Sequence, residues 1–266
     1  MSEPNAALLA PIAGDNPSGA SLRYDAIYEQ IKEARREDDG MPQGDWQTAR
    51  KVADWNLVIR LAADALTKKT KDLQIAAWLT EAWLRREGFA GLQNGLHLMH
   101  GMLEQYWDTV YPEIDEDGDA DMRAAPLAWV GLKLDLAVLM VPLDQDGHTL
   151  LDLRGSKEVP TREQADSSSD VAEKRERLIA DGRVPPEDVE RAFAGTPKAW
   201  YRALVDDIDG CAAAVDALDT LCNERFEDPP SFIALRNVLR DVRQAAGQLL
   251  ARKLDQDPDP EPVEDF

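Results

Sequence analysis

Phe89, Leu92, Leu96, Met99, Leu103, Tyr106 and Val110 recur at alternating steps of three and four. That rhythm lays one continuous apolar stripe along a helix, whereas a strand needs a period of two. The seam is too short for a free-standing coiled coil, so it predicts a core helix packed among neighbours in a bundle. Tyr111-Pro112 ends it, because proline has no N–H to continue the helical ladder.

The segments before and after carry the same signal. Asp54 is placed to cap a helix with Leu57, Val58, Leu61, Ala62, Ala65 and Leu66 on one side. Lys68, Lys69 and Lys71 near its end suit the negative pole of the helix dipole. Asp72 can cap the next helix, which runs through Leu73, Ala76, Leu79, Trp83 and Leu84 to Gly88, a natural stop. Tyr24, Ile27, Tyr28 and Ile31 predict an earlier helical face. Pro126 fits the first turn of a helix carrying Leu127, Val130, Leu134 and Val138.

Between Val141 and Ser169 periodicity fades and Gly, Pro and Ser increase. His148 to Leu153 reads as a short strand or extended run. Helices resume with the charged Val171 to Ala180, a short helix opened by Pro185-Pro186, and a long one after Thr196-Pro197 that reaches about Phe226. Pro229-Pro230 starts its partner, with Phe232, Leu235, Leu239, Val242, Ala246 and Leu249 on one face. The pair predicts a long antiparallel hairpin. The expected fold is therefore all-α: an irregular multi-helix bundle at 1–145, an irregular connector at 146–170, a helical block with the hairpin at 171–254, and a tail at 255–266. That tail holds six acids, three prolines and no base, the composition of a disordered segment or linker.

The formal net charge of −21 over 266 residues argues against nucleic acid and anionic membrane as partners, since both repel such a surface. No apolar run approaches the ~20 residues of a membrane span, and the N-terminus lacks a basic leader, so the chain reads as cytoplasmic. Cys211 and Cys222 would lie about 16 Å apart on one helix, beyond reach of a disulfide, and are expected as free buried thiols.

No catalytic pattern stands out. Asp115, Asp117 and Asp119 imitate the start of a calcium loop, but Ala120 and Pro126 occupy the positions that need Gly and Glu. His97, His100 and Glu104 share one helical face and could ligate zinc, without the glutamate of a zinc-protease helix. There is no nucleophile elbow, phosphate loop or dinucleotide fingerprint. The expectation is a non-enzyme without cofactor. A metal-dependent enzyme built on His97 and His100, and a generic helical adaptor, stand as alternatives.

A last set of residues forms an ordered series of blocks. Gly14-Asp15-Asn16-Pro17-Ser18-Gly19 is followed by Leu22-Arg23-Tyr24-Asp25 and Glu33-Ala34-Arg35-Arg36-Glu37-Asp38. Then come Gly44-Asp45-Trp46, Ala53-Asp54-Trp55, Lys71 to Ala82, Gly88 to Leu92, Tyr106-Trp107, Tyr111-Pro112 and Arg123 to Leu127. Over residues 8–130 this series resembles the ImpA N-terminal domain family, found in TssA-type proteins of bacterial type VI secretion. Pro230-Ser231 and Leu235-Arg236 look like the middle region of the same proteins.

The resemblance implies a cytoplasmic, helical, non-catalytic scaffold that helps assemble the baseplate and coordinates sheath and tube growth through protein contacts. It supplies no catalytic residues. Ring-shaped self-association is implied for C-terminal domains of these proteins, and no such domain is evident here. Of the seven tryptophans most are expected in the core, with Trp46 the exception. Arg35, Arg36, Asp38 and Trp46, beside Gly/Pro loops where binding residues gather, are the candidate docking residues.

Overall fold

A computed structural model describes residues 3–37 and 51–259. The chain is 69% helical, with twelve helices and no strand among the described residues. It divides into two units that interleave along the sequence: 1–135 with 211–236, and 136–210 with 237–266.

The first unit opens with α1 (Glu3–Leu9), α2 (Ala26–Arg35) and α3 (Trp55–Lys68). Asp25 caps α2 by accepting from the Ile27 amide, and Asp54 caps α3 by accepting from Leu57. Ile27, Tyr28, Ile31 and Ala34 line the buried face of α2. Tyr24 does not belong to that face: it precedes the cap and is 93% exposed. Its spacing matched a helical step, but with Asp25 as cap the helix starts at Ala26, two residues past it.

Asp72 caps α4 (Leu73–Tyr106) through the amides of Gln74 and Ile75. Gly88, at φ 65° and ψ −139°, breaks this helix in two, a left-handed conformation that favours glycine. The halves fold back on one another. A Cβ on Gly91 would stand 2.3 Å from the Trp83 carbonyl oxygen, and one on Gly95 would stand 2.4 Å from the Thr80 hydroxyl. These glycines let the halves approach backbone to side chain. The predicted seam is wholly buried, from Phe89 through Val110.

Helix α5 (Asp121–Lys133) begins earlier than Pro126 implied, so the proline sits in its second turn. The N–H it lacks would have bonded to Met122, which is half exposed and can bond water instead. Cys211 is buried and donates its thiol to the Phe89 carbonyl, 3.0 Å away.

The second unit contains α6 (Asp135–Leu139, whose first residue belongs to the first unit), α7 (Leu150–Ser156), α8 (Arg162–Asp166), α9 (Ser169–Ala180) and α10 (Pro186–Gly195). His148 to Leu153 is not a strand. Thr149 and Asp152 form a capping box, each side chain taking the other's backbone N–H, and so start α7. Thr161 and Gln164 do the same for α8, which places a second helix in the stretch where periodicity had faded.

Helices α11 (Lys198–Arg225) and α12 (Ile233–Gln256) each contribute to both units. In the first unit Arg236 bridges Asp216 at 2.8 Å and Asp219 at 2.9 Å. In the second, Arg243 grips Asp209 with two bonds of 2.6 and 3.0 Å. Lys198 pairs with Asp257 at 2.8 Å and Asp259 at 3.2 Å, and Arg202 also reaches Asp259, so the acidic end is tied down to the last described residue.

Candidate functional site

The two candidate arginines are neighbours with opposite surroundings. Arg35, at the end of α2, directs Nε and Nη2 to Glu81 Oε2, at 2.8 and 2.6 Å. Its guanidinium also stands over Trp78 of α4 and Trp129 of α5, 5.4 and 5.2 Å from their ring centroids. With only 19% of Arg35 and 12% of Glu81 exposed, this cation joins three helices. A planar cation fits such a slot because it can stack on aromatic faces while holding a carboxylate at its edge.

Arg36 faces outward and pairs with Glu33 at 3.1 Å. Lys51 reaches the same glutamate, and the hydrogen bonds from Lys51 and Arg36 hold the Glu33 carboxyl below the ordinary range. Between α2 and α3 runs an open groove lined by Ala26, Gln30, Val52, Leu57 and Leu61, with Glu33 and Lys51 beside it. Asp38 and Trp46 lie outside the described residues. Among the candidates, then, Arg36 is presented to solvent and Arg35 is engaged internally.

Pattern reading missed a polar junction. Ser18 to Ala20 pairs with 69–71 through Ala20 N to Lys69 O (3.0 Å) and Lys71 N to Ser18 O (2.8 Å). Tyr111 exchanges bonds with Lys71 and Leu73 at 2.9 and 2.8 Å. The Gly14–Gly19 block and the Tyr111-Pro112 block therefore converge on Lys71-Asp72. Gly19, at φ 70°, is required here, since a Cβ would lie 2.1 Å from the Lys69 carbonyl oxygen.

Three charged residues are buried at this junction. Asp72 accepts from the Tyr28 hydroxyl at 2.6 Å, and burial raises its pKa against the pull of Tyr28 and the two amides it caps. Lys71 donates Nζ to the carbonyls of Leu8 and Leu66, both at 2.6 Å. Burial lowers its pKa to about 8. Arg123 donates to the carbonyls of Trp107, Val110 and Pro112 and stands 5.1 Å from the Trp107 ring centroid. It thereby satisfies the Trp107 carbonyl at the end of α4 and two carbonyls of the turn that follows. All three are fastened to backbone and act structurally.

His97 and His100 lie half-buried on the second half of α4. The His97 pKa is lowered chiefly by burial, with the His100 charge adding to it. Among the described residues no three His, Cys, Asp or Glu side chains converge as a metal site. In the loop before α5, Asp115 Oδ1 accepts from the amides of Asp117 and Asp119, at 3.0 and 2.8 Å, which makes it a turn-forming residue. No described helix is long and apolar enough to cross a membrane.

Comparison with known proteins agrees with this arrangement. Residues 9–131 match the family described as ImpA, N-terminal, type VI secretion system. The type VI secretion system component TssA1 of Pseudomonas aeruginosa is 35% identical over 125 residues, 47% of this chain and 36% of that protein. The chain thus corresponds to about a third of that relative's length. A solved structure is also similar: the N-terminal domain including the conserved ImpA_N region of the TssA component of the type VI secretion system from Burkholderia cenocepacia. It superposes with a TM-score of 0.80 at 29% identity, covering 95% of this chain and 96% of that one.

Proposed function

We propose that this chain, whose residues 9–131 match the ImpA N-terminal family of type VI secretion, is a TssA-type component of that system and works as a non-catalytic cytoplasmic scaffold. In this reading it helps assemble the baseplate and coordinates sheath and tube polymerisation by protein contacts, with Arg36 and its neighbours as one docking face. The observation that carries the reading is the likeness to the TssA N-terminal domain, which extends over 95% of the chain and not only the matched family region. The buried charges support it, because Lys71 and Arg123 are spent on backbone carbonyls and Asp72 on a helix cap and the Tyr28 hydroxyl.

Deleting the encoding gene in its bacterium and imaging a fluorescent sheath subunit tests the role. Loss of extended sheaths, restored by the gene in trans, is the expected result. Normal sheath number and length in the deletion would refute it. Pairwise binding of the purified chain to purified sheath, tube and baseplate proteins then assigns the direct contact.

A further inference from the structure

The turn that carries Tyr24 and the acidic loop 113–121 face each other across a cleft of about 450 Å³ in the first unit. Its floor is fixed. Tyr28 is held by its bond to Asp72, and Tyr111 accepts from Asn16 at 3.2 Å and donates to the Gly19 carbonyl at 3.1 Å. Its two walls are apolar but wet. Tyr24 is 93% exposed, with the Arg23 guanidinium 5.8 Å from its ring centroid, and Met122 opposite is 49% exposed. Glu113, Asp115 and Glu116 form the rim, all exposed. Among the described residues no ion pair engages Glu113 or Glu116.

We infer that this cleft is a docking site for a cationic peptide segment of a partner protein, with apolar side chains beside its basic ones. Three rim carboxylates against the single Arg23 attract a basic side chain and repel an anionic one. The exposed tyrosine and methionine offer apolar area that a purely charged segment would leave wet, so the occupant supplies aliphatic groups as well. A rigid aromatic floor reduces the ordering cost of capture. A second copy of this chain is disfavoured by its own charge of −21. This inference stands apart from the secretion role and would hold for any partner of that chemistry.

The probe is a fluorescein-labelled six-residue peptide alternating Arg and Leu, titrated into the full chain at 150 mM salt. Alternating Glu-Leu and Arg-Ser peptides are the comparisons. The Arg-Leu peptide should bind at least threefold tighter than Arg-Ser, and Glu-Leu should not bind. Tyr24→Ala, and separately Glu113→Gln with Glu116→Gln, should each weaken binding at least tenfold. The same charge change on α9, Asp170→Asn with Glu173→Gln, should leave it within twofold. Methyl NMR should place the perturbation at Met122. Equal weakening by the α9 pair, no shift at Met122, or no measurable binding would overturn the assignment, as would a self-associating chain whose dimer the Tyr24 variant abolishes.

Discussion

The Tyr28 hydroxyl donates to the Asp72 carboxylate over 2.6 Å, tying the first turn of α2 to the N-cap of α4 inside the first unit. A hydrogen bond to a charged group is worth ~1.5–3 kcal/mol, so Tyr28→Phe should cost about that much in urea unfolding. The deficit should depend on pH. Burial raises the folded pKa of Asp72 above its ordinary 3.8, and removing the Tyr28 bond raises it further. A carboxyl with a raised folded pKa contributes stability below 3.8 and loses it as pH rises through the folded value. Below 3.8 the pH-dependent part of the deficit should vanish, and it should grow only as pH rises past the raised folded value of the wild type, where the variant alone still holds the proton. A deficit independent of pH would mean that the Tyr28 bond leaves the titration of Asp72 unchanged.

Lys71 gives the opposite slope. Its folded pKa is lowered from 10.5 to about 8 by burial, so between those values the unfolded chain binds more protons at this site. Stability from this group therefore rises with pH across that window and is flat below it. Lys71→Met keeps the length of the side chain but removes the titration. The difference in unfolding free energy between wild type and Lys71→Met, measured at pH 7, 8, 9 and 10, should stay level to about 8 and then move in favour of wild type. Taking the difference cancels the contribution of Cys222, whose thiol burial pushes up to about 12.

Arg35 and Arg36 separate stability from recognition. Arg35→Ala removes the partner of a mostly buried carboxylate and leaves a gap beside Trp78 and Trp129, a loss of about 2–4 kcal/mol by analogy with broken buried pairs. Arg35→Lys should recover little of it, since a lysine cannot stack flat between the two rings. Arg36→Ala removes an exposed pair with Glu33 and should cost less than about 1 kcal/mol. If the α2 end docks a secretion protein, Arg36→Glu should weaken that capture by far more than its small loss of stability accounts for. Chemical denaturation alongside pairwise binding reads both.

The sequence's legible part was the part governed by periodicity and caps. The α4 seam, the Gly88 break, the Asp54 and Asp72 caps and the α12 face all follow from residue spacing and N-cap chemistry. Lys71, Asp72 and Arg123 are a different case. Spacing treats a charged residue as exposed, and what holds these three is brought in from elsewhere in the chain: the Leu8 carbonyl for Lys71, the Tyr28 hydroxyl for Asp72 and the carbonyls of the 107–112 turn for Arg123. The same blindness applies to Arg35, whose partners Glu81, Trp78 and Trp129 are remote in sequence. Blocks such as Pro17-Ser18-Gly19 and Tyr111-Pro112 marked the junction without revealing that they meet.

The fold-back of α4 sets the last prediction. Gly95 lies against Thr80, and an added Cβ would fall 2.4 Å from its hydroxyl, 2.5 Å from its methyl and 2.6 Å from its Cβ. Thr80 is itself buried, with its hydroxyl donating to the Ala76 carbonyl at 2.8 Å, so it has no free space to swing into. Gly95→Ala should therefore destabilise by ~1–3 kcal/mol through overpacking, despite alanine's better helix propensity. Thr80→Ala in the same chain removes two of the three clashing atoms but keeps the Cβ at 2.6 Å. The double variant should recover part of the loss and show a coupling above ~0.5 kcal/mol in a double-mutant cycle. Additive losses would mean that the two halves of α4 do not press together at this pair.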